Sequence, residues 1–164
     1  MKQLVIAVLA LMVFSTTACF KTLDYTYNET KVVELEDAVR RTPAAGLTYP
    51  VITVLRTAGT QSMMVNLVGE QLKAAQDMTF SVDTAITSQL NASTIRAVEG
   101  THFNLNGGKF TFKQDTSFSF IRFDVTNVPA QTGKFALVVL KLDGSGDIKP
   151  SENYRRVGFK IDLK

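Results

Sequence analysis

Along most of the chain, apolar and polar positions alternate with a period of two, the pattern of strands that bury one face. Lys31 to Glu36 (KVVELE) is the first such stretch. Tyr49 to Arg56 is β-branched and apolar on both faces, and Ser62 to Glu70 sets Met63, Val65 and Leu67 against Met64, Asn66 and Val68. Asp77 to Asp83 alternates Met78, Phe80 and Val82 with Thr79 and Ser81, and Phe110 and Phe112 alternate with Lys109, Thr111 and Lys113. Lys134 to Asp143 is apolar in both phases, as a central strand requires, and Val157, Phe159, Ile161 and Leu163 mark a last strand. Phe118 to Val125 changes phase: Phe118 and Phe120 share one, Ile121, Phe123 and Val125 the other. A slip of one residue sends side chains to the opposite face, so a β-bulge near Phe120-Ile121 is expected to return them inward. On that reading Phe110, Phe112, Phe118, Phe120, Phe123 and Phe135 are all core.

Turn residues punctuate the pattern. Thr42 to Gly46 reads as a loop, and Asn106-Gly107-Gly108 predicts a tight hairpin before Lys109. Asp143-Gly144-Ser145-Gly146-Asp147 and Lys149-Pro150-Ser151 fill the last connection. Thr84 to Gly100 is polar with thinly spread apolar residues and reads as a loop or a short helix. About eight short strands with regular turns and no long helix predict an all-β fold, an immunoglobulin-like antiparallel β-sandwich of about seven to eight strands.

The amino terminus departs from this period. Lys2 is followed by an unbroken apolar run from Leu4 to Phe14, then by small residues to Ala18 and by Cys19. A basic start, a short apolar core and a small-residue exit form a secretory signal, and the run is too short for a bilayer span of about 20 residues. Thr16-Thr17-Ala18-Cys19 resembles the bacterial lipobox, in which a thiol takes a diacylglycerol and becomes amino-terminal, with Thr16 where an aliphatic residue is usual. The expected organisation is a lipoprotein signal peptide over 1–18, a lipidated tether over 19–30 and a β-sandwich domain over 31–164. Two or more acyl chains hold a protein durably on a membrane, so Cys19 is the lipidation residue and the membrane the first partner.

Composition narrows the rest. Cys19 is the single cysteine, so the domain folds without a disulfide. The charge of +3 comes from 18 basic and 15 acidic residues that are scattered along the chain. No basic stripe tracks nucleic-acid phosphates.

Little in the chain carries catalytic chemistry. His102 is the one histidine, without an evident nucleophile or orienting acid, and reads as a polar residue at a strand start. Structural zinc needs several His or Cys ligands. Asp143 and Asp147 could offer oxygens to calcium, with Glu152 more distant, but an EF-hand loop needs more acids at fixed spacing, and a plain turn is preferred. The expectation is therefore no metal, no cofactor and no enzyme. There is no Trp for glycan stacking; Tyr25, Tyr27, Tyr49 and Tyr154 are the tyrosines, and the first two fall in the tether. Tyr154, with Asp143 and Asp147, is the candidate ligand-binding set.

Ala97-Val98-Glu99-Gly100-Thr101-His102-Phe103, followed by Lys109-Phe110-Thr111-Phe112 and by Ile121 to Val125, resembles Calx-beta-like immunoglobulin-type sandwiches, with His102-Phe103 replacing Asp-Tyr. Val65 to Gly69 and the closing Ile148 to Tyr154 extend the likeness over roughly residues 50–164. Together with the lipobox, the chain resembles small lipoproteins of the Bacteroidetes type whose domain has no assigned function. Asp115, Asp124, Asp143, Asp147 and Glu152 do not form the dense acidic cluster of calcium-binding members. The resemblance implies a lipid-anchored, non-enzymatic binding or scaffolding domain of the bacterial outer membrane, on either its periplasmic or its surface side. A glycan-binding accessory of a polysaccharide-uptake system, a surface adhesin or fimbrial subunit, and a cell-envelope hydrolase are the alternatives; an envelope protein or a glycan is the expected second partner.

Overall fold

The computed structural model describes residues 30–164. The expected signal peptide, Cys19 and nearly all of the 19–30 tether lie outside the described residues.

The alternating segments become strands where the sequence places them. β1 is Val32–Leu35, followed by a single helical turn, α1, at Glu36–Arg40. Then come β2 (Val51–Leu55), β3 (Thr60–Val68), β4 (Gln76–Val82), β5 (Thr94–Arg96), β6 (Phe103–Asn104) and β7 (Lys109–Phe112). The chain closes with β8 (Phe118–Val125), β9 (Phe135–Gly144), β10 (Lys149–Pro150) and β11 (Arg156–Asp162). The first sheet has the order β10-β1-β3-β8-β6; the second has the order β2-β11-β9-β4-β7, with β5 beside β9. Most pairings are antiparallel, while β1–β10, β2–β11 and β5–β9 run parallel.

The two sheets form a sandwich because each presents an apolar row to the other. Val33, Leu35, Met63, Val65, Leu67, Ile121, Phe123 and Val125 of the first sheet meet Met78, Phe80, Phe110, Phe112, Val138, Leu140, Phe159 and Ile161 of the second. Phe123 and Phe159 join the sheets edge to face with centroids 4.7 Å apart, a preferred aromatic geometry.

Two local expectations are corrected. The Asn106-Gly107-Gly108 turn is tight, with three successive positive φ angles, but it does not make a hairpin. It carries the chain from β6 in the first sheet to β7 in the second. A Cβ on Gly108 would stand 2.5 Å from the Phe80 carbonyl oxygen, so only glycine fits. The expected bulge in Phe118–Val125 is absent: β8 pairs with β3 in unbroken register from Asn66↔Phe118 to Thr60↔Asp124. The register shift lies instead in β4, between Thr79 and Phe80.

Thr84 to Ser93 resolves into turns followed by β5, with no helix. Ile86 and Leu90 of this loop, with Leu47 of an earlier one, pack over the outer face of the second sheet. There they enclose Tyr49, Leu137 and Val139 in a separate small core.

Candidate functional site

Unbroken register in β8 decides where its side chains go. Ile121, Phe123 and Val125 face the core, and Phe118 and Phe120 face outward, 52 % and 40 % exposed. Two of the six phenylalanines expected in the core are thus on the surface, packed edge to face with centroids 6.0 Å apart, and a third, Phe135, is only half-buried, with Lys160 Nζ 4.1 Å from its ring centroid. Met64 stands opposite Phe120 and Asn66 opposite Phe118 on β3, and Val68 is exposed on the same face.

The edge of β8 away from β3 is only partly used, because β6 pairs with it at Phe103↔Val125 and Asn104↔Asp124. Beyond that pair, β8 runs beside β7, the edge strand of the second sheet, and the seam between sheets opens into a surface cleft of about 450 Å³. Ser119 Oγ donates to the Thr111 carbonyl at 2.7 Å and clasps the two strands. Phe120, Lys109, Lys113, Arg122, Thr111 and Asn106 line the cleft. A second depression, shared with Phe118 and Thr116, continues it along the seam. Alternation in β7 buries Phe110 and Phe112 and turns Lys109, Thr111 and Lys113 outward. The positive-φ backbone at Asn106 places that residue at the upper end of the cleft, with its side-chain amide donating to Asp124 at 2.9 Å.

The groups around the cleft are polarised but not arranged for bond-making chemistry. Hydrogen bonds from Thr60 and Asn106 hold the Asp124 carboxyl below the ordinary range. Asp77 accepts from the Thr111 hydroxyl at 2.6 Å. No acidic side chain among the described residues pairs with Lys109, Lys113 or Arg122 within 4.0 Å.

The residues singled out from sequence lie elsewhere. Tyr154 is exposed near β10, at the opposite edge of the first sheet, and its carbonyl accepts from the Leu35 amide at 2.9 Å. Asp143 is the last residue but one of β9, accepts from Ser81 Oγ at 2.7 Å and faces Lys141 at 3.9 Å. Asp147 lies in the turn closed by the Ser145–Ile148 bridge. No hydrogen bond or ion pair among the described residues joins Tyr154 to either aspartate, and no three His, Cys, Asp or Glu side chains among them gather around one point. His102 is buried, its Nδ1 accepting from the Val98 amide at 3.0 Å. Burial pushes its pKa below the ordinary value. A second polar group is buried on the far face. Asp83 accepts from Arg156 Nε at 2.7 Å and from the Ala85 amide at 3.1 Å. Burial alone would raise its pKa, but the Arg156 and Ala85 hydrogen bonds, with the Arg156 and Lys141 charges, hold it low.

Sequence reasoning missed the β7–β8 seam, although the signal was present. Arg122 and Asp124 share the phase of Phe118 and Phe120, and two charges in one phase mark it as the solvent side.

Solved structures share this architecture at low sequence identity. The apo form of the Calx CBD1 domain superposes with a TM-score of 0.54 at 15 % identity, covering 82 % of this chain and 99 % of that domain. A two-domain Bacteroides fragilis protein of unknown function superposes with a TM-score of 0.56 at 11 % identity, covering 82 % of this chain and 46 % of that one. A Bacteroides ovatus protein provisionally named as carbohydrate-binding gives 0.55 at 10 % identity, covering 80 % of this chain and 36 % of that one. The chain thus spans a whole Calx domain but under half of each of these two Bacteroides proteins. The sequence matches no protein-family model and no curated protein. The fold is a Calx-beta-like β-sandwich.

Proposed function

We propose that this chain is a lipid-anchored, non-enzymatic binding domain of the bacterial outer membrane, tethered through Cys19, with the β7–β8 seam as its binding surface and a carbohydrate as its ligand. The observation that carries the reading is the exposed Phe118–Phe120 pair beside a cleft lined with hydroxyl, amide and cationic groups. Two large aromatic rings on a solvent-facing strand leave apolar area in water, and such patches mark interaction sites. The apolar C–H face of a sugar ring lies against an aromatic ring, while its hydroxyls need the polar partners that Thr111 and Asn106 offer. The name of the Bacteroides ovatus neighbour is consistent with this ligand class.

Anchor and site are tested separately. Labelled palmitate should enter the full-length protein in cells, and Cys19→Ala should abolish the label; label that survives the substitution removes the anchor from the proposal. A glycan array probed with the mature domain should give hits that Phe118→Ala/Phe120→Ala removes. Hits that survive this double substitution and disappear with Tyr154→Ala would move the site to the opposite edge of the first sheet.

A further inference from the structure

The cleft is asymmetric in charge, and that asymmetry points to a ligand class. Its cationic lining residues are Lys109, Lys113 and Arg122, and no carboxylate lines it. The cations come from both sides of the seam: Lys109 at the start of β7 and Lys113 just past its end, with Arg122 opposite on β8. The nearby acids keep their charge but are turned to neutral donors rather than to these cations. Asp124 accepts from Thr60 and Asn106, Asp77 from Thr111, and Asp115 from Gln114. Elsewhere on the same outer face the balance differs. Glu36 pairs with Arg40 and Asp37 with Arg41 at the α1 end, so the charges there cancel locally. Three cations without an ion-pair partner among the described residues, gathered along one groove, raise the local concentration of an anion and select against a cation.

We propose that the seam is selective for an acidic polysaccharide bearing carboxylates along its chain, a deepening that rests on the carbohydrate reading of the same site. Phe118 and Phe120 supply the stacking surface, and the cations flank it on both sides of the groove. Arg122 favours carboxylate in particular, because a planar guanidinium meets a planar carboxylate through two parallel N–H···O bonds. A neutral glycan would use the aromatic pair alone and leave the three cations solvated.

The test is affinity electrophoresis of the mature domain in gels holding one of four polymers: polygalacturonate, dextran, dextran sulfate or poly-glutamate. Polygalacturonate should retard the protein most. The triple variant Lys109→Gln/Lys113→Gln/Arg122→Gln should weaken that retardation about tenfold in apparent Kd, since exposed charge contacts are individually small. Raising the salt from 0.15 M to 1 M should do much the same, as the screening length contracts from about 8 Å to about 3 Å. Thermal melting of the triple variant must match the parent, which keeps a loss of binding from being a loss of fold. Equal, salt-insensitive retardation by dextran would overturn the charge selectivity and leave the carbohydrate site standing. Retardation by poly-glutamate as strong as by polygalacturonate would overturn a glycan-specific seam in favour of an acidic peptide. Stronger retardation by dextran sulfate would overturn the carboxylate preference. No retardation by any polymer, with no hits on the glycan array, would overturn both this inference and the reading beneath it.

Discussion

The two outer faces of the sandwich begin alike and end differently. On the second sheet, Leu137 and Val139 point away from the main core; on the first, Phe118, Phe120, Met64 and Val68 do the same. The loops over 42–50 and 84–93 fold across the second sheet, so that Tyr49 is 2 % exposed there. No loop among the described residues covers Phe118 and Phe120 in the same way. A sandwich has two outer faces, and among the described residues the long connections fold over only one. The apolar area left on the other face packs under no loop among the described residues, which makes it the place to look for a partner. The covered face should then respond to mutation as a core and the open face as a binding surface.

The largest effect expected on that contrast comes from Arg156. Asp83 is 6 % exposed and depends on Arg156 for its charge partner. Arg156→Ala leaves a buried carboxylate with the Ala85 amide and a distant lysine, at a cost of about 3 kcal/mol, measurable by urea unfolding. A cost under about 0.5 kcal/mol, the level of an ordinary surface substitution, would show that water already reaches this face and that it is not a core. Tyr49→Ala should cost a comparable amount, roughly 3 kcal/mol, because it removes a large side chain from a closed cluster. Tyr49→Phe should go the other way. The Tyr49 hydroxyl is buried without a hydrogen-bond partner, so deleting it should stabilise the fold by about 1 kcal/mol. Destabilisation by that substitution would reveal a buried water holding the hydroxyl.

This contrast was only half legible in the sequence. Strand positions were, because alternation is local: β3, β9 and β11 fall within two residues of the expected Ser62–Glu70, Lys134–Asp143 and Val157–Leu163. The covering of the second sheet was not. It depends on Tyr49 meeting Gly158, residues far apart in the chain. A Cβ on Gly158 would stand 3.0 Å from Val51 and 3.3 Å from Tyr49, so the glycine admits the loop, but no local pattern announces that. The parallel pairings of β1 with β10 and β2 with β11 are equally non-local. The open face was misread for another reason. Assigning Phe118 and Phe120 to the core together with Phe123 required a bulge in β8, whereas a plain strand with Arg122 and Asp124 on its outer side needed none. Tyr154 attracted attention as an aromatic in a loop, while the aromatic pair that the fold exposes lay inside a strand.

Acid should act on the covered and connecting regions in two separate steps. His102, the only histidine, has its pKa lowered from 6.5 by burial. The unfolded chain therefore binds that proton more readily than the folded one. Stability is full above about pH 6.5, falls as pH drops below it, and levels off once the folded-state pKa is passed. Asp83 is lowered from 3.8, so its contribution is complete above that value and lost only as pH falls further. Unfolding measured from pH 7.5 to 2.5 should show a small decline below about 6.5 and a larger one below about 3.8. His102→Asn, which keeps an acceptor for the Val98 amide but does not titrate, should flatten the first decline and leave the second. A first decline that persists in this variant would belong to another group.

The smallest effect on stability is expected where the effect on binding is greatest. Phe118→Ala/Phe120→Ala removes two aromatic side chains, a change that would cost several kcal/mol in the core. On this face each should cost less, under about 1 kcal/mol, because about half of each ring is already in water. They also pack on each other, so the pair should be changed together; a single substitution would leave the remaining ring free to settle over Met64. If the double variant melts with the parent yet no longer binds the glycan, the open face differs from the covered one in purpose as well as in exposure. If it loses stability as Tyr49→Ala does, Phe118 and Phe120 behave as a core, and the two faces are alike after all.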